Sequence, residues 1–499
     1  MAVARVTSAQ PSYPHAIIVD VETDLSKGLN AFSIVGLPDK AVDEAKDRVS
    51  SGIKNSGYPS PKSTNLKTVV SLAPADFKKE GTHYDLPIAI SYLIASGAIP
   101  AISRSILIVG ELTLDGSVRG VRGVLSCAIA AKKEGFEAIF VPRANAEEAS
   151  LVDGISIYPV TSLTEILLHL RNEAMISAYT SSGVSAESPT ARIDFFDIRG
   201  QESAKRALEV AAAGRHNIVL YGPPGTGKSM LAQAFCGILP PLTHEEALEA
   251  TIIHSLAGVL HTTHIAQPPM RAPHHTSSHI ALVGGGSTPR PGEITLAHRG
   301  VLFLDEFPEF ERRTIDALRE PLEGGEITIA RARGAVRYPA NFILVAAMNP
   351  TRGHDGIANL SEKERLQKKI SGPVADRIDI WIEVGHITHH TLSDMPHGER
   401  SAVIQKRVEG AREVQYKRFA SSGKTNSEMS VRDLDSFIHM SQHAKEVLNQ
   451  SATRLQLSPR AYHRIVKLSR TIADLSNSDS VEDTHVLEAL HYRPKNLFD

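Results

Sequence analysis

A chain of 499 residues, 42% hydrophobic and 22% charged, has room for two to four domains with a substantial core. No stretch approaches the roughly 20 apolar residues that cross a bilayer, and no basic start followed by an apolar run marks a secretory leader. A net charge of −2 excludes coating of DNA by bulk positive charge, so any nucleic-acid contact must come from a local patch. Cys127 and Cys236, the only two cysteines, fall in helix-like stretches of different predicted domains. A disulfide framework is therefore not expected, and a reducing cytoplasm fits.

Residues 1–171 read as mixed α/β. Ala16 to Glu22 and Asn65 to Leu72 have strand character, and Lys40 to Asn55 and Leu86 to Ala95 have helical periodicity. Ser105 to Leu114 suggests a hairpin partner, Val124 to Glu134 a helix, and Ala138 to Val141 a further strand. Between positions 172 and 193 the composition turns to Ser, Ala, Thr and Gly without apolar period, which is a linker signature. Strands and helices alternate over 194–390, as a doubly wound sheet requires. The tail, 391–499, is helical by period and includes Ser401 to Phe419 and Ser458 to Leu475.

The segment 194–390 carries the chemistry. An apolar run, Asn217 to Tyr221, leads into Gly222, Pro223, Pro224, Gly225, Thr226, Gly227, Lys228 and Ser229, and a helical stretch follows from Met230. Strand, glycine-rich loop and helix together grip polyphosphate. The glycines let backbone N–H groups turn inward, Lys228 reaches the β- and γ-phosphates, and the Ser229 hydroxyl ligates Mg²⁺. The run Val301 to Leu304 ends in Asp305 and Glu306. A parallel strand buried on both faces reads this way, and ligands bind beyond its carboxyl end. That assigns Asp305 to the Mg²⁺ and Glu306 to an attacking water, hence ATP hydrolysis. A third strand, Phe342 to Met348, ends at Asn349, whose amide either orients the same water or makes a turn before Pro350.

These motifs, with Asp197 to Gln201, Met270 to Thr276, Gly292 to Phe310, Ala347 to Pro350 and Ser371 to Asp379, resemble the AAA+ ATPases of the magnesium-chelatase-like group. More narrowly they resemble the ComM/YifB family, over almost the whole chain. The resemblance implies an α/β fold in three parts: an N-terminal α+β domain similar to the Lon protease domain, a central AAA+ doubly wound parallel sheet, and a C-terminal helical lid. It further implies a cytoplasmic bacterial protein that forms homohexameric rings, uses ATP and Mg²⁺, and acts on single-stranded or branched DNA as a branch-migration helicase in recombination and natural transformation. The alternative is a chelatase-type motor that remodels a protein partner.

By the same resemblance Arg377 is similar to the arginine finger that completes a neighbouring subunit's site; the residue also fits an ion pair with Asp376 or Asp379 at a helix end. Arg460 looks like the lid arginine that reaches the nucleotide from its own subunit, or a solvated helix residue. Lon-type catalysis needs a serine activated by a lysine. The corresponding positions fall at or beside His83 and on Leu125, so peptidase chemistry is not expected. Many relatives carry zinc-spaced cysteines after the Ala-Met-Asn-Pro element; here Thr351 to Gly356 has none, and no zinc is expected. His261, His264, His274, His275 and His279 read as a solvent-facing loop rather than a metal site. The resemblance also places a β-hairpin after Glu306, and Ile327 to Ala330 with Val336 to Tyr338 allows one. Arg331, Arg333 and Arg337 at or beside its tip would form a positive collar around DNA in a ring, or an exposed solvated hairpin. Lys363 to Lys369 mixes charge signs and reads as a helix surface.

Overall fold

The computed structural model describes residues 3–180, 193–260, 262–286, 290–331, 334–349, 369–387, 395–421 and 423–493. The chain divides into two compact units, 1–186 with 251–264, and 187–250 with 265–499.

The first unit is built on a seven-stranded mixed sheet. Its strands are β1 (Ala4–Gln10), β2 (Ile17–Lys27), β3 (Ala31–Val35), β4 (Leu66–Ala73), β5 (Ile106–Ile108), β8 (Ala138–Pro142) and β9 (Ser156–Val160). They lie in the order β3-β4-β2-β1-β5-β8-β9. A separate two-stranded ribbon joins β6 (Glu111–Leu112) to β7 (Val118–Arg119). Helix Lys40–Asn55 is capped by the Asp39 carboxylate, which accepts the Val42 N–H, and it turns Val42, Ala45, Val49 and Ile53 inward. Helix Asp85–Ala95 is apolar nearly all round and lies in the core.

The expected hairpin over Ser105 to Leu114 is corrected by this topology. β5 pairs in parallel with both β1 and β8, and only Glu111–Leu112 enters an antiparallel ribbon. The apolar run through Leu107 and Ile108, both fully buried, is the signature of a strand covered on two faces rather than of a hairpin arm. The segment 251–264, which interrupts the sequence of the second unit, belongs to this unit. Ser255 Oγ accepts the Gly123 N–H at 3.0 Å and donates to the Glu148 carboxylate. Its apolar pattern carried no sign of that membership.

The second unit holds a five-stranded sheet in the order β11-β14-β17-β10-β18, every pairing parallel. Its members are β10 (Ile218–Tyr221), β11 (Met270–Arg271), β14 (Val301–Leu304), β17 (Ile343–Met348) and β18 (Ile380–Glu383). Strands β10, β14 and β17 are buried at every residue, which explains their unbroken apolar sequences. Two antiparallel hairpins stand apart from the sheet: β12 (Gly284–Gly285) with β13 (Arg290–Pro291), and β15 (Glu326–Arg331) with β16 (Gly334–Pro339).

The C-terminal helices share one hydrophobic core with the sheet. Ile404 and Val408 from helix Ser401–Phe419, and Ile465 and Leu468 from helix Pro459–Leu475, join Leu208 and Ala211 of helix Glu202–Gly214. Helix Pro459–Leu475 begins where its sequence predicts, since the Ser458 hydroxyl accepts the Ala461 N–H at 3.2 Å and Pro459 occupies the first turn.

Candidate functional site

The parallel register brings three strand ends to one edge. Tyr221 pairs with Met348, and Leu304 with Ala346, so Gly222, Asp305 and Asn349 leave the sheet side by side at its carboxyl edge. Gly222 is pressed against β18: a Cβ there would lie 2.1 Å from the Val384 carbonyl oxygen. Gly225 and Gly227 hold φ of +79° and +88°, where glycine alone bends without strain. Helix Lys228–Phe235 starts directly from that bend, so its first N–H groups and the positive end of its dipole face the loop.

Lys228 is buried, and its Nζ donates to the carbonyls of Gly222 at 2.8 Å and Pro223 at 2.7 Å. Burial pulls its pKa below the ordinary lysine value, while Asp305 pushes the other way. Ser229 Oγ donates to Asp305 Oδ2 at 2.8 Å, which sets two hard oxygen donors together. That donor chemistry suits Mg²⁺, which takes oxygen ligands and few protein groups. Glu306 follows in the left-handed region, φ +50°, with its N–H donating to Asp305 Oδ1 at 2.9 Å. A non-glycine residue pays about 1 kcal/mol for that conformation, and such strain gathers at functional positions.

These groups line one cleft of about 730 Å³, together with Asn349, His274 and His275. His274 stays exposed, as a solvent-facing loop requires, whereas His275 departs from that expectation, being partly buried and in contact with the acidic pair. The chain leaves β11 at Arg271 beside β14, and four residues later His275 Nδ1 lies 3.0 Å from Glu306 Oε2. The signal was present in Met270 to Thr276, a motif adjoining a strand, but the length of the insert hid its proximity to Glu306. His261 lies outside the described residues.

Arg377 and Arg460 come together elsewhere. Both donate to the Glu323 carboxylate, Arg460 Nη2 at 2.9 Å. They line a second cavity of about 800 Å³ that shares no lining residue with the phosphate-loop cleft. Arg377 therefore pairs with Glu323 rather than with Asp376 or Asp379. Arg460 does not line the phosphate-loop cleft. Helix Pro459–Leu475 is anchored by Arg464, which donates to the Ile378 carbonyl at 2.7 Å and the Asp376 carbonyl at 2.5 Å and so holds the start of the helix beside the Arg377 segment.

The hairpin forms with strands longer than the sequence suggested, since Arg331 and Gly334 are register partners. One face buries Ile327, Ile329 and Tyr338, and the other exposes Thr328 and Arg337. Arg337 Nη1 lies 3.1 Å from Glu326 Oε2, a contact in open solvent that leaves its charge accessible. The side chains of Arg331 and Arg333, the segment Thr351 to Gly356 and most of Lys363 to Lys369 lie outside the described residues. In the first unit both positions aligned with the Lon-type pair are core positions. Leu125 is fully buried, and burial drives the His83 pKa down to about 3, so the ring is neutral.

A five-stranded parallel sheet with a phosphate loop after one strand, an acidic pair after another and a helical region packed on the same core defines an AAA+ P-loop protein. Comparison with known families agrees. Residues 194–392 match magnesium chelatase subunit ChlI, 21–145 match a second ChlI segment, and 398–493 match the ChlI C-terminal segment. Competence protein ComM of Haemophilus influenzae is 42% identical over 99% of this chain and 98% of its own. YifB of Escherichia coli is 43% identical over 95% and 94%. The magnesium-chelatase 38 kDa subunit of Rhodobacter capsulatus is 30% identical over 37% of this chain and 59% of its own length. The chain belongs to the ComM/YifB family of magnesium-chelatase-like AAA+ proteins.

Proposed function

We propose that this protein is an ATP-driven ring motor that moves along DNA and promotes branch migration during recombination and uptake of transforming DNA. The observation that carries the ATPase part is the 2.8 Å contact between Ser229 and Asp305 at the mouth of the phosphate loop, with Glu306 beside it. The competence part is supported by near full-length likeness to a protein named for competence. The DNA part is supported by an exposed hairpin face bearing Arg337, with Arg331 and Arg333 beside it in sequence.

In this reading Lys228 leaves its carbonyl partners to hold the β- and γ-phosphates, and the turned N–H groups of Gly225 to Ser229 bind the remaining charge. Mg²⁺, held by Ser229 and Asp305, would neutralise charge on the phosphate oxygens when bound. Glu306 orients a water and accepts its proton as the water attacks, and Asn349 lends a second polar group. Arg377 and Arg460, which line a cavity separate from their own phosphate loop, serve the nucleotide of the adjacent copy. A guanidinium at the γ-phosphate accelerates such hydrolysis by about 10³–10⁵. That arrangement requires a closed ring, six copies by family resemblance, with the β15–β16 hairpins toward DNA. Contacts of this kind hold phosphates and carry no base code.

The test measures ATP hydrolysis by purified protein with and without forked DNA, alongside strand exchange. Lys228→Ala should abolish both. Branch migration that persists in that variant refutes the motor. A chelatase-type motor acting on a protein partner is the second reading, favoured by the match of 194–392 to the chelatase subunit, and it predicts no response to DNA.

A further inference from the structure

Glu323 is the one carboxylate among the described residues that holds both Arg377 and Arg460. It sits on the short helix Arg319–Gly324, which ends at Gly325 in the left-handed region, φ +66°. That helix is tied directly to the base of the β15–β16 hairpin. Glu320, one turn before Glu323, accepts the Thr328 N–H at 3.0 Å, and the Gly325 carbonyl accepts the Ala340 N–H at 2.7 Å. These two hydrogen bonds link the first strand of the hairpin and the residue after its second strand to the helix that carries Glu323 and to the residue that ends it.

The two guanidiniums are held unequally. Arg377 has a side chain only 10% exposed, gives one terminal nitrogen to Glu323 and the other to the Pro373 carbonyl, and leaves its buried Nε without a partner. Arg460 is half-exposed and touches Glu323 alone among the described contacts. A carboxylate that grips both cations has the same sign as the phosphate they would serve. Full engagement with an incoming triphosphate therefore requires them to leave Glu323.

We propose that Glu323 is a positioning residue that withholds Arg377 and Arg460 from the neighbouring copy's nucleotide until DNA displaces the β15–β16 hairpin. This rests on the ring-motor reading given above. Glu323 then links the DNA-gripping element to the rate of hydrolysis. Its carboxylate is 56% exposed, so the grip is weak enough to be broken in each cycle.

The experiment compares steady-state ATP hydrolysis by the full chain, its Glu323→Gln variant and its Glu323→Asp variant, at fixed salt, with and without forked DNA. Gln keeps the shape and removes the charge. DNA-free turnover should rise at least about two- to fivefold, the factor set by the more exposed of the two pairs, that with Arg460, and stimulation by DNA should shrink by the same factor. Asp, still anionic, should stay nearer the parent protein. A Glu323→Gln variant with unchanged or lower DNA-free turnover overturns the proposal. If the parent hydrolyses ATP but ignores DNA, the DNA reading fails instead, and the DNA-free rate still decides whether Glu323 restrains the arginines. A parent that hydrolyses no ATP sinks both.

Discussion

Replacing His275 by alanine isolates a contact that only the folded chain creates. The imidazole Nδ1 lies 3.0 Å from Glu306 Oε2, where it fixes the direction of the carboxylate proposed to accept a proton from water. A shielded hydrogen bond to a charged group contributes about 1.5–3 kcal/mol. Here the Glu306 side chain is 51% exposed and that of His275 29%, so solvent screens the pair and about 0.5–1 kcal/mol is the fitting range. Converted to rate, His275→Ala should lower kcat about two- to fivefold while KM for ATP stays within about twofold, since the ring orients a group rather than holding phosphate. Glu306→Gln, which removes the base itself, should cost about 10²–10⁴. Steady-state hydrolysis of the two single variants and the double variant completes a cycle. If the histidine acts through Glu306, its removal has no further effect once Glu306 is glutamine. The same two- to fivefold loss in both backgrounds, or a change in KM alone, would show that the ring does something else.

Gly222→Ala should destabilise the second unit by about 1–3 kcal/mol and weaken nucleotide binding, because its Cβ would meet the Val384 carbonyl at 2.1 Å; denaturant unfolding and nucleotide titration read both effects. For His83, burial holds the folded pKa at about 3 against an ordinary 6.5. Unfolded chains bind the proton first as pH falls, so stability is lost from pH 6.5 downward, by about 2 kcal/mol at pH 5. Urea unfolding of the parent and of His83→Gln at both pH values checks this, and equal slopes would refute it. Charge reversal at Arg331, Arg333 and Arg337 together should weaken forked-DNA binding and flatten its salt dependence while DNA-free ATPase survives. Unaltered DNA affinity at fixed salt would remove the hairpin from the interface.

Local sequence determined the elements whose signals are complete within a few residues. The phosphate loop carries its own turn glycines, the strand before Asp305 its own buried pattern, and helices Lys40–Asn55 and Pro459–Leu475 their own period and starting caps. Phosphate binding follows from them because the loop's chemistry is backbone chemistry, set by φ and by a helix start. Tertiary structure decided what depends on long-range register and anchoring. His275 meets Glu306 because β11 and β14 are neighbours, Arg460 sides with Arg377 because Arg464 pins its helix, and Ser255 joins Glu148 across 107 positions. A side chain's type shows what it can bond. Only packing settles which partner is within 3 Å, since that choice is made by the whole core at once.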